Sequence, residues 1–379
     1  MTIIQELKQL FSAHFNTSPS HIVRAPGRVN LIGEHTDYND GFVLPMAIEH
    51  AIYIALRARE DDMVRIYASN FDNTFSFELD NFSKGEMSPA EYVKGMTRAL
   101  QNAEYALQGW DGVLKGDIPI GAGLSSSAAT EMAIGQAFKA VGSVDATPTE
   151  LAKMGQWVEN EWLGLGSGIM DQMISASGQV GSALLIDCRS LETENVPLPE
   201  NTAVVILDTG TRRGLVDSKY NERRQQCEEA AAFFGVPKLR DVIIEQFEAR
   251  ENQLDEMPRK RARHVITENA RVLKARDALK GGDAATFGKL MDESHMSMRD
   301  DFEISSDALN AMVRHAQMHP ACYGARMTGG GFAGCAVALV NRDGADDFAR
   351  TVTAGYGAET GHTPAAYISQ PTQGAGLLD

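Results

Sequence analysis

The segment that most constrains the fold is a glycine- and serine-rich stretch at residues 119–128, PIGAGLSSSA, between a strand-like and a helix-like stretch. Glycine lets the backbone adopt positive φ and approach a ligand closely. We expect a serine to cap the helix that follows, and the free N–H groups of its first turn attract an anion. A plain capped turn is the alternative. Three consecutive serines after two glycines favour a phosphate-binding loop.

Two other phosphate-binding motifs do not match this stretch. The chain has no G-x-x-x-x-G-K-S/T, which excludes a Walker loop. The dinucleotide fingerprint requires glycine where Ser126 stands, so that reading fails as well.

A second polar cluster lies at residues 24–38, RAPGRVNLIGEHTDY. Glu34 and Asp37 are good acceptors for the hydroxyls of a polyol, and His35 can donate or accept. The guanidinium of Arg28 matches pairs of phosphoryl oxygens. Asp, Asn and Gly at 37–41 are also turn formers, so a sugar site and a simple turn both remain open here.

Two acids, Glu159 and Asp171, surround a glycine-containing stretch between two predicted helices. Taken singly, Glu159 is explained by a solvated helix face and Asp171 by the dipole of the helix that it begins. A functional role for the two acids is indicated only if both lie in one cleft with the serine loop. In that case Glu159 and a loop serine could provide hard oxygen ligands for magnesium.

A second glycine-rich segment, MTGGGFAG at residues 327–334, joins two predicted strands. It has more glycine than a hairpin needs. Close approach of the backbone to a ligand and a glycine-rich bulge explain it equally well.

The strand and helix patterns predict an α+β protein with two domains that meet at a cleft, which is a preferred place for a ligand. Short strands dominate residues 21–80, and a buried-type strand at 202–208 begins the second half. We therefore expect domains at 1–200 and 201–379. Without its middle helices, the second half follows the ferredoxin-like order β-α-β-β-α-β.

Charge and composition disfavour several classes of protein. The chain has 51 acidic residues against 35 Lys+Arg, a net charge of -16, which disfavours binding to nucleic acids and anionic membranes. No apolar run approaches the roughly 20 residues that span a bilayer, and the N-terminus lacks the features of a signal peptide. The four cysteines form no C-x-x-C pair. These features favour a cytoplasmic protein.

Four segments, in this order, resemble the galactokinases within the GHMP small-molecule kinase superfamily. They are GRVNLIGEHTDY at 27–38, PIGAGLSSSAA at 119–129, GIMDQ at 168–172 and MTGGGFAG at 327–334. The first is specific to galactokinase-type members, whereas the serine loop is shared across the superfamily and indicates only ATP. The resemblance implies an N-terminal domain like domain 2 of ribosomal protein S5, a ferredoxin-like C-terminal domain and an active site between them.

The resemblance also implies an activity. The γ-phosphoryl group of ATP would be transferred, with Mg²⁺, to the anomeric hydroxyl of D-galactose, giving α-D-galactose 1-phosphate and ADP. This is the first committed step of galactose catabolism by the Leloir route. Galactose and ATP would be the partners, with no nucleic acid, membrane or obligate protein partner. The alternatives are a kinase for another sugar, such as N-acetylgalactosamine, and a sugar sensor on the same scaffold.

Site residues follow from the matching motifs. The resemblance assigns Asp171 as the catalytic carboxylate and Arg28 as its partner and transition-state stabiliser. It assigns Ser127 and Glu159 as magnesium ligands. The sugar would be contacted by Glu34, His35, Thr36, Asp37 and Tyr220. The ATP phosphate loop would comprise Gly121, Ala122, Gly123, Leu124, Ser125, Ser126 and Ser127.

The chain departs from the family pattern at two positions. Ala333 stands where a second glycine is usual, and Pro89 stands where a tryptophan usually precedes the A-N-Y-V motif near adenine. We therefore expect a slightly tighter turn at Ala333 and altered adenine contacts near Pro89.

Overall fold

A computed structural model describes residues 2–119, 121–142, 144–212 and 217–378 of the chain. Ile120 of the glycine-serine segment lies outside the described residues. In the first half the helices and strands are α1 (Ile3–Phe15), β1 (His21–Asn30), β2 (Phe42–Val43), β3 (Pro45–Ala58), β4 (Met63–Ala68), β5 (Asn73–Glu78), α2 (Pro89–Asn102), β6 (Trp110–Gly116), α3 (Ser126–Val141), α4 (Pro148–Trp157), α5 (Met170–Ser177), β7 (Ser182–Asp187) and β8 (Thr193–Pro197).

The local predictions for this half are largely confirmed. Residues 21–80 form strands as expected, although β3, with 14 residues, is longer than the short strands predicted there. Helix α4 begins at Pro148 behind a capping box of Thr147 and Glu150. The sequence pattern predicts a helix at 90–108, but this helix, α2, ends at Asn102, because Glu104 adopts the left-handed φ of 63° that terminates it.

In the second half the elements are β9 (Thr202–Asp208), α6 (Asp217–Phe234), α7 (Ile244–Arg250), α8 (Glu256–Lys280), α9 (Ala284–Asp300), α10 (Asp307–Gln317), β10 (Cys322–Met327), β11 (Cys335–Asn341), α11 (Ala345–Thr360), β12 (Ala365–Ser369) and β13 (Gly376–Leu378). The strand predicted at 202–208 is confirmed. The sequence pattern also predicts helices near 217–234, 258–280, 284–297, 306–318 and 345–356, and these match α6, α8, α9, α10 and α11 to within a few residues.

The larger sheet has six strands in the order β13-β1-β3-β6-β4-β5. Only its β4–β6 pair is parallel. Helices α3 and α5 pack against β1 and β3, and α1 packs against β3 and β6. A smaller sheet of order β2-β7-β8 lies beside it. This packing brings the start of α3 and the start of α5 close to β1.

The second-half sheet has the order β10-β11-β9-β12 and is antiparallel throughout, which confirms the ferredoxin-like prediction. Every residue of β9 is buried. Val204 and Ile206 join the core shared with the first half, whereas Val205 and Leu207 pack in the cluster that contains Phe348. The two halves therefore share one continuous apolar core.

The end of the chain returns to the first sheet, where β13 pairs with β1 through Ile22 and Leu378. A boundary near residue 200, with domains at 1–200 and 201–379, stays a prediction. Among the described residues, no helix combines the length and apolar character needed to cross a bilayer.

Candidate active site

The glycine-serine segment forms a tight turn between β6 and α3. Gly121 and Gly123 have φ of 72° and 80°, which favours glycine at both positions. Ser125 precedes α3, but its hydroxyl makes no capping hydrogen bond. The expectation of a serine cap is therefore wrong: Ser125 has a left-handed φ of 59° instead of the extended conformation of a capping residue, and its Oγ donates to Asp171.

An irregularity in β1 brings the first polar cluster to this turn. The pairing register of β1 with β3 shifts between Pro26 and Arg28. A Cβ on Gly27 would lie 2.7 Å from the carbonyl oxygen of Leu124, and the amide of Arg28 donates to that oxygen at 3.2 Å. Glycine at position 27 thus permits direct contact between β1 and the serine loop.

Arg28 and Asp171 form a bidentate ion pair at this contact. Arg28 Nε and Nη2 donate to the two carboxylate oxygens at 2.7 and 2.6 Å, and Nη1 donates to the carbonyl of Gly123 at 2.7 Å. Burial lowers the pKa of Arg28, but Asp171, Glu34 and Asp37 together raise it above its ordinary value. The arginine is therefore a permanent cation.

Two clefts meet at this pair. The first is lined by seven of the predicted residues, namely Arg28, Glu34, His35, Asp37, Glu159, Asp171 and Tyr220. The second is lined by Arg28, Asp171, Arg212 and the loop residues Gly121, Gly123, Leu124, Ser125, Ser126 and Ser127. Ala122 belongs to the buried core instead. Arg28 and Asp171 are common to both clefts.

Glu34 lies on the floor of the first cleft with 2% of its surface exposed. Its Oε1 accepts from the amide of Gly329 at 2.8 Å and from the hydroxyl of Thr328 at 3.2 Å. Burial raises the pKa of Glu34, although Arg326 and Arg28 oppose the shift. The C-terminal glycine segment therefore contacts the Glu34 carboxylate through its backbone, and Gly329 and Gly330 line the same cleft.

His35 and Tyr220 form an aromatic wall of the first cleft. Their ring centroids lie 5.0 Å apart, and His35 Nδ1 lies 2.7 Å from the hydroxyl of Tyr38. Burial, followed by Asp37 and Asp171, raises the pKa of Tyr220 well above its ordinary value, so its hydroxyl stays protonated.

Thr36 and Asp37 lie at a turn, and Asp37 also lines the first cleft. A simple turn and a sugar site, the two alternatives left open for residues 24–38, are therefore compatible. Thr36 is fully buried, and its hydroxyl contacts the carbonyls of Gly33 and Phe42 at 2.9 and 2.8 Å. It lies outside the residues that line the cleft. Burial and the neighbouring Asp171 raise the pKa of Asp37 to about 7.

Glu159 occupies the π-helical turn Val158–Leu163 that follows α4, and it is 6% exposed. The hydroxyl of Ser167 donates to its carboxylate. Burial raises the pKa of Glu159 and Asp171 raises it further, whereas Ser167 and Ser127 oppose the shift. Glu159, Asp171 and the serine loop therefore lie in one region. This proximity is the condition under which Glu159 and a loop serine could act together as magnesium ligands.

The two departures from the family pattern have local explanations. Ala333 lies outside the left-handed region, unlike Gly331, Phe332 and Gly334, so alanine fits there without strain. Pro89 is the first residue of α2 behind Ser88, a position that suits proline.

Sequence reasoning missed several residues that complete the site. Arg326 and Thr328 contact Glu34, Ser167 contacts Glu159, and Gly168 lies against Asp37. Thr328 and Gly168 fall inside quoted motifs and could have been suspected. Nothing in the local pattern singles out Arg326, because its partner lies 292 positions earlier in the chain.

Comparisons with known proteins show which family and fold the chain shares. The chain matches the galactokinase galactose-binding signature over residues 9–58, the GHMP kinases N terminal domain over 91–179 and the GHMP kinases C terminal domain over 275–358. It is similar to Lactococcus lactis galactokinase, solved in complex with galactose, with 36% identity, coverage of 100% of both chains and a TM-score of 0.95.

More distant structures share the fold. Mevalonate kinase from Methanococcus jannaschii is 19% identical, with coverage of 93% of this chain and 99% of that one and a TM-score of 0.65. The D-glycero-D-manno-heptose 1-phosphate kinase from Bacteriodes thetaiotaomicron is 16% identical, with coverage of 94% and 98% and a TM-score of 0.62. The α+β architecture is thus the two-domain GHMP kinase fold, and the full-length match at 36% identity shows that the chain belongs to the galactokinase family.

Proposed function

We propose that the protein is a galactokinase that transfers the γ-phosphoryl group of ATP to the anomeric hydroxyl of D-galactose. The products are α-D-galactose 1-phosphate and ADP, so the reaction commits galactose to catabolism. The observation that carries this proposal is the Arg28–Asp171 pair, which lines both the acid-rich cleft and the serine-loop cleft. A sugar on one side and a triphosphate on the other would meet at this pair.

The first cleft suits a hexose. Glu34 and Asp37 offer carboxylate oxygens to sugar hydroxyls, and His35 and Tyr220 add groups that can donate or accept. Thr36 supports this stretch through its two backbone contacts instead of facing the sugar.

The chemistry we propose uses Asp171 as the acceptor of the proton that the anomeric hydroxyl releases during its attack. Arg28 holds both oxygens of Asp171 and provides a fixed positive charge beside the phosphoryl group in transit. Ser125 restrains the same carboxylate from the loop side. Phosphoryl transfer depends mainly on positioning and electrostatic stabilisation, which this arrangement provides.

The serine loop would hold the ATP phosphates. Residues 121–127 turn toward the second cleft, and the first N–H groups of α3 favour an anion there. Ala122 contributes through the backbone path of the turn, because its side chain lies in the core.

Glu159 and Ser127 are the residues that we propose as magnesium ligands. The fit is chemical: both are hard oxygen donors, and the buried Glu159 carboxylate, beside Asp171, lacks a cationic partner among the ion pairs of the described residues. Mg²⁺ bound there would neutralise charge on the ATP phosphates. Ser167 orients the Glu159 carboxylate for this role.

The remaining expectations form part of the proposal. We place the enzyme in the cytoplasm, where ATP is supplied, with domains at 1–200 and 201–379 and the small molecules as its partners. Its net charge of -16 gives no basis for a nucleic-acid partner.

A coupled assay of ADP release tests the function. We expect turnover that requires galactose, ATP and Mg²⁺ together. Phosphorus NMR should show that the phosphate of the product is attached at C1. Preference for N-acetylgalactosamine in a parallel sugar panel would reassign the substrate. Binding of galactose and ATP without ADP release would identify a sensor instead of an enzyme.

A further inference from the structure

A buried arginine from the second half of the chain reaches the floor of the first cleft, the proposed galactose site, hereafter the sugar cleft. Arg326, the penultimate residue of β10, is 0% exposed. Its Nη2 lies 3.6 Å from Oε1 of Glu34, which is itself 2% exposed. Arg326 lies on a strand of the second-half sheet, whereas Glu34 lies in the loop that follows β1, so their contact depends on how the two halves pack.

Among the described residues, the other hydrogen-bonding partners of Arg326 are uncharged. Its Nη1 donates to the carbonyl of Asn30 at 3.3 Å, and its Nη2 lies 3.1 Å from the sulfur of Met298. Within the described residues, Glu34 is the carboxylate that forms an ion pair with Arg326. The neighbouring Glu268 already has Arg271 as its partner at 2.7 Å.

Glu34 needs a counter-charge to act as a hydroxyl acceptor. Burial favours its neutral form, and a protonated carboxyl loses part of its capacity to accept hydrogen bonds. Arg28, the second cation near Glu34, is committed to Asp171 through two hydrogen bonds. The counter-charge for Glu34 therefore comes chiefly from Arg326.

We propose that Arg326 is a positioning residue for the galactose site, which keeps Glu34 ionised and holds its carboxylate against the backbone of Gly329. This inference rests on the proposed function and deepens it. It makes affinity for the sugar depend on a residue that lies beneath the cleft and outside its lining.

Other charged and titratable groups lie near Glu34, near Arg326 or against the residues beside them, and they set the pH window of a test. They are Arg28 on β1, Asp37 in the following turn, His264, Glu268 and Arg271 on α8, and His295 on α9. Burial lowers the pKa of His264 and of His295 to about 4, so both stay neutral between pH 6 and 9. Asp37 titrates in this window, but it does so in the wild type and the variant alike.

The decisive variant is Arg326→Met. We expect its KM for galactose to rise at least about 10-fold at pH 6, while its KM for ATP changes far less. The ratio of variant to wild-type KM for galactose should shrink toward pH 9, because the unpaired Glu34 ionises there. Arg326→Lys, which keeps the charge, should recover most of the affinity at pH 6.

Arg261→Met is the matched control. Arg261 is another buried arginine, 1% exposed, whose carboxylate partner is Glu303 at 2.8 Å. This change should lower thermal stability and leave the pH dependence of KM for galactose as in the wild type. A rise in the KM of Arg326→Met by the same factor at pH 6 and pH 9, or no rise, would overturn the inference.

Calorimetric titration of galactose at pH 6 and 9 gives a second readout that does not depend on turnover. An inactive wild type would defeat the proposed function, whereas an active wild type with a pH-independent defect in Arg326→Met would defeat only this inference. If Arg326→Met does not fold, the double variant Arg326→Met/Glu34→Gln tests whether the unpaired charge of Glu34 is the cause. Recovery of folded protein supports charge pairing, and continued misfolding overturns it.

Discussion

Arg28 and Asp171 form a two-pronged ion pair, at 2.7 and 2.6 Å, although 143 residues separate them in the sequence. Arg28 follows a bulge in β1, and Asp171 lies in the first turn of α5. In the mechanism that we propose, the pair unites a proton acceptor and a fixed cation at the junction of the two clefts. The first prediction tests this unit directly.

Asp171→Asn should bind galactose but lose transfer. The amide occupies the same space but cannot accept the proton, so we expect kcat to fall between about 100-fold and 10,000-fold. Calorimetry should still detect galactose binding. Near-normal turnover would remove Asp171 from the mechanism.

The matched control for that variant is Asp111→Asn. Asp111 is 4% exposed and is held by Arg59 and Arg65 at 2.9 and 2.7 Å, away from either cleft. This change should lower the free energy of unfolding and leave kcat close to the wild-type value. A large loss of kcat would show that any disrupted arginine–aspartate pair is enough to impair the enzyme.

Asp37→Asn should weaken galactose binding more than ATP binding, because the carboxylate faces the sugar cleft and lies outside the serine-loop cleft. In the wild type, affinity for galactose should increase as pH rises through about 7, when Asp37 ionises. Titrations of both ligands at pH 6 and 8 measure this. A larger loss of ATP affinity would contradict the assignment.

The same variant should be more stable than the wild type at high pH. The pKa of Asp37 is raised from 3.8 to about 7, so the folded state retains a proton that the unfolded state releases. Its contribution to stability therefore falls as pH rises from about 4 to about 7. By denaturant unfolding, we expect Asp37→Asn to gain on the order of 4 kcal/mol relative to the wild type between pH 4 and 8. A constant difference across this range would refute the shift.

Gly168→Ala should raise the KM for galactose. A Cβ at this position would lie 1.8 Å from Oδ2 of Asp37, so the carboxylate must move. We expect a rise of roughly 10-fold with little change in the KM for ATP. Gly281→Ala is the control, since the nearest atoms to its Cβ would lie at 3.4 and 3.5 Å. Equal effects from both substitutions would count against steric displacement of Asp37.

Glu159→Gln should lower the apparent affinity for Mg²⁺ by at least about 10-fold, a loss that even outer-shell changes around a metal produce. Rates at varied free Mg²⁺, with saturating ATP and galactose, measure this. Because burial raises the pKa of Glu159, its ionised form opposes folding, so the variant without ligands should be at least as stable as the wild type at pH 8. The neighbouring, exposed Glu161 provides the control Glu161→Gln, whose dependence on Mg²⁺ should not change.

Much of the secondary structure could be predicted because it depends on neighbouring residues. The apolar run of β9 and a capping Thr147 before Pro148 are local patterns that the sequence predicts, and the structure has both. The serine cap at Ser125 was wrong for a non-local reason: its hydroxyl donates to an acid 46 positions away. The helix predicted at 90–108 is too long, because nothing clear in the sequence indicates that Glu104 adopts a left-handed conformation.

The candidate site also has features that depend on local sequence and features that depend on contacts between distant segments. The motifs at 27–38 and 119–129 determined which residues could serve a sugar and a phosphate, since these functions need particular side chains and flexible glycines at close spacing. Only the tertiary structure decided that Asp171 pairs with Arg28, that Thr36 faces inward and that Arg326 reaches Glu34. These relationships depend on the β1 bulge and on the packing of the two halves, because contacts between distant segments arise from burial of a shared core and not from chain spacing.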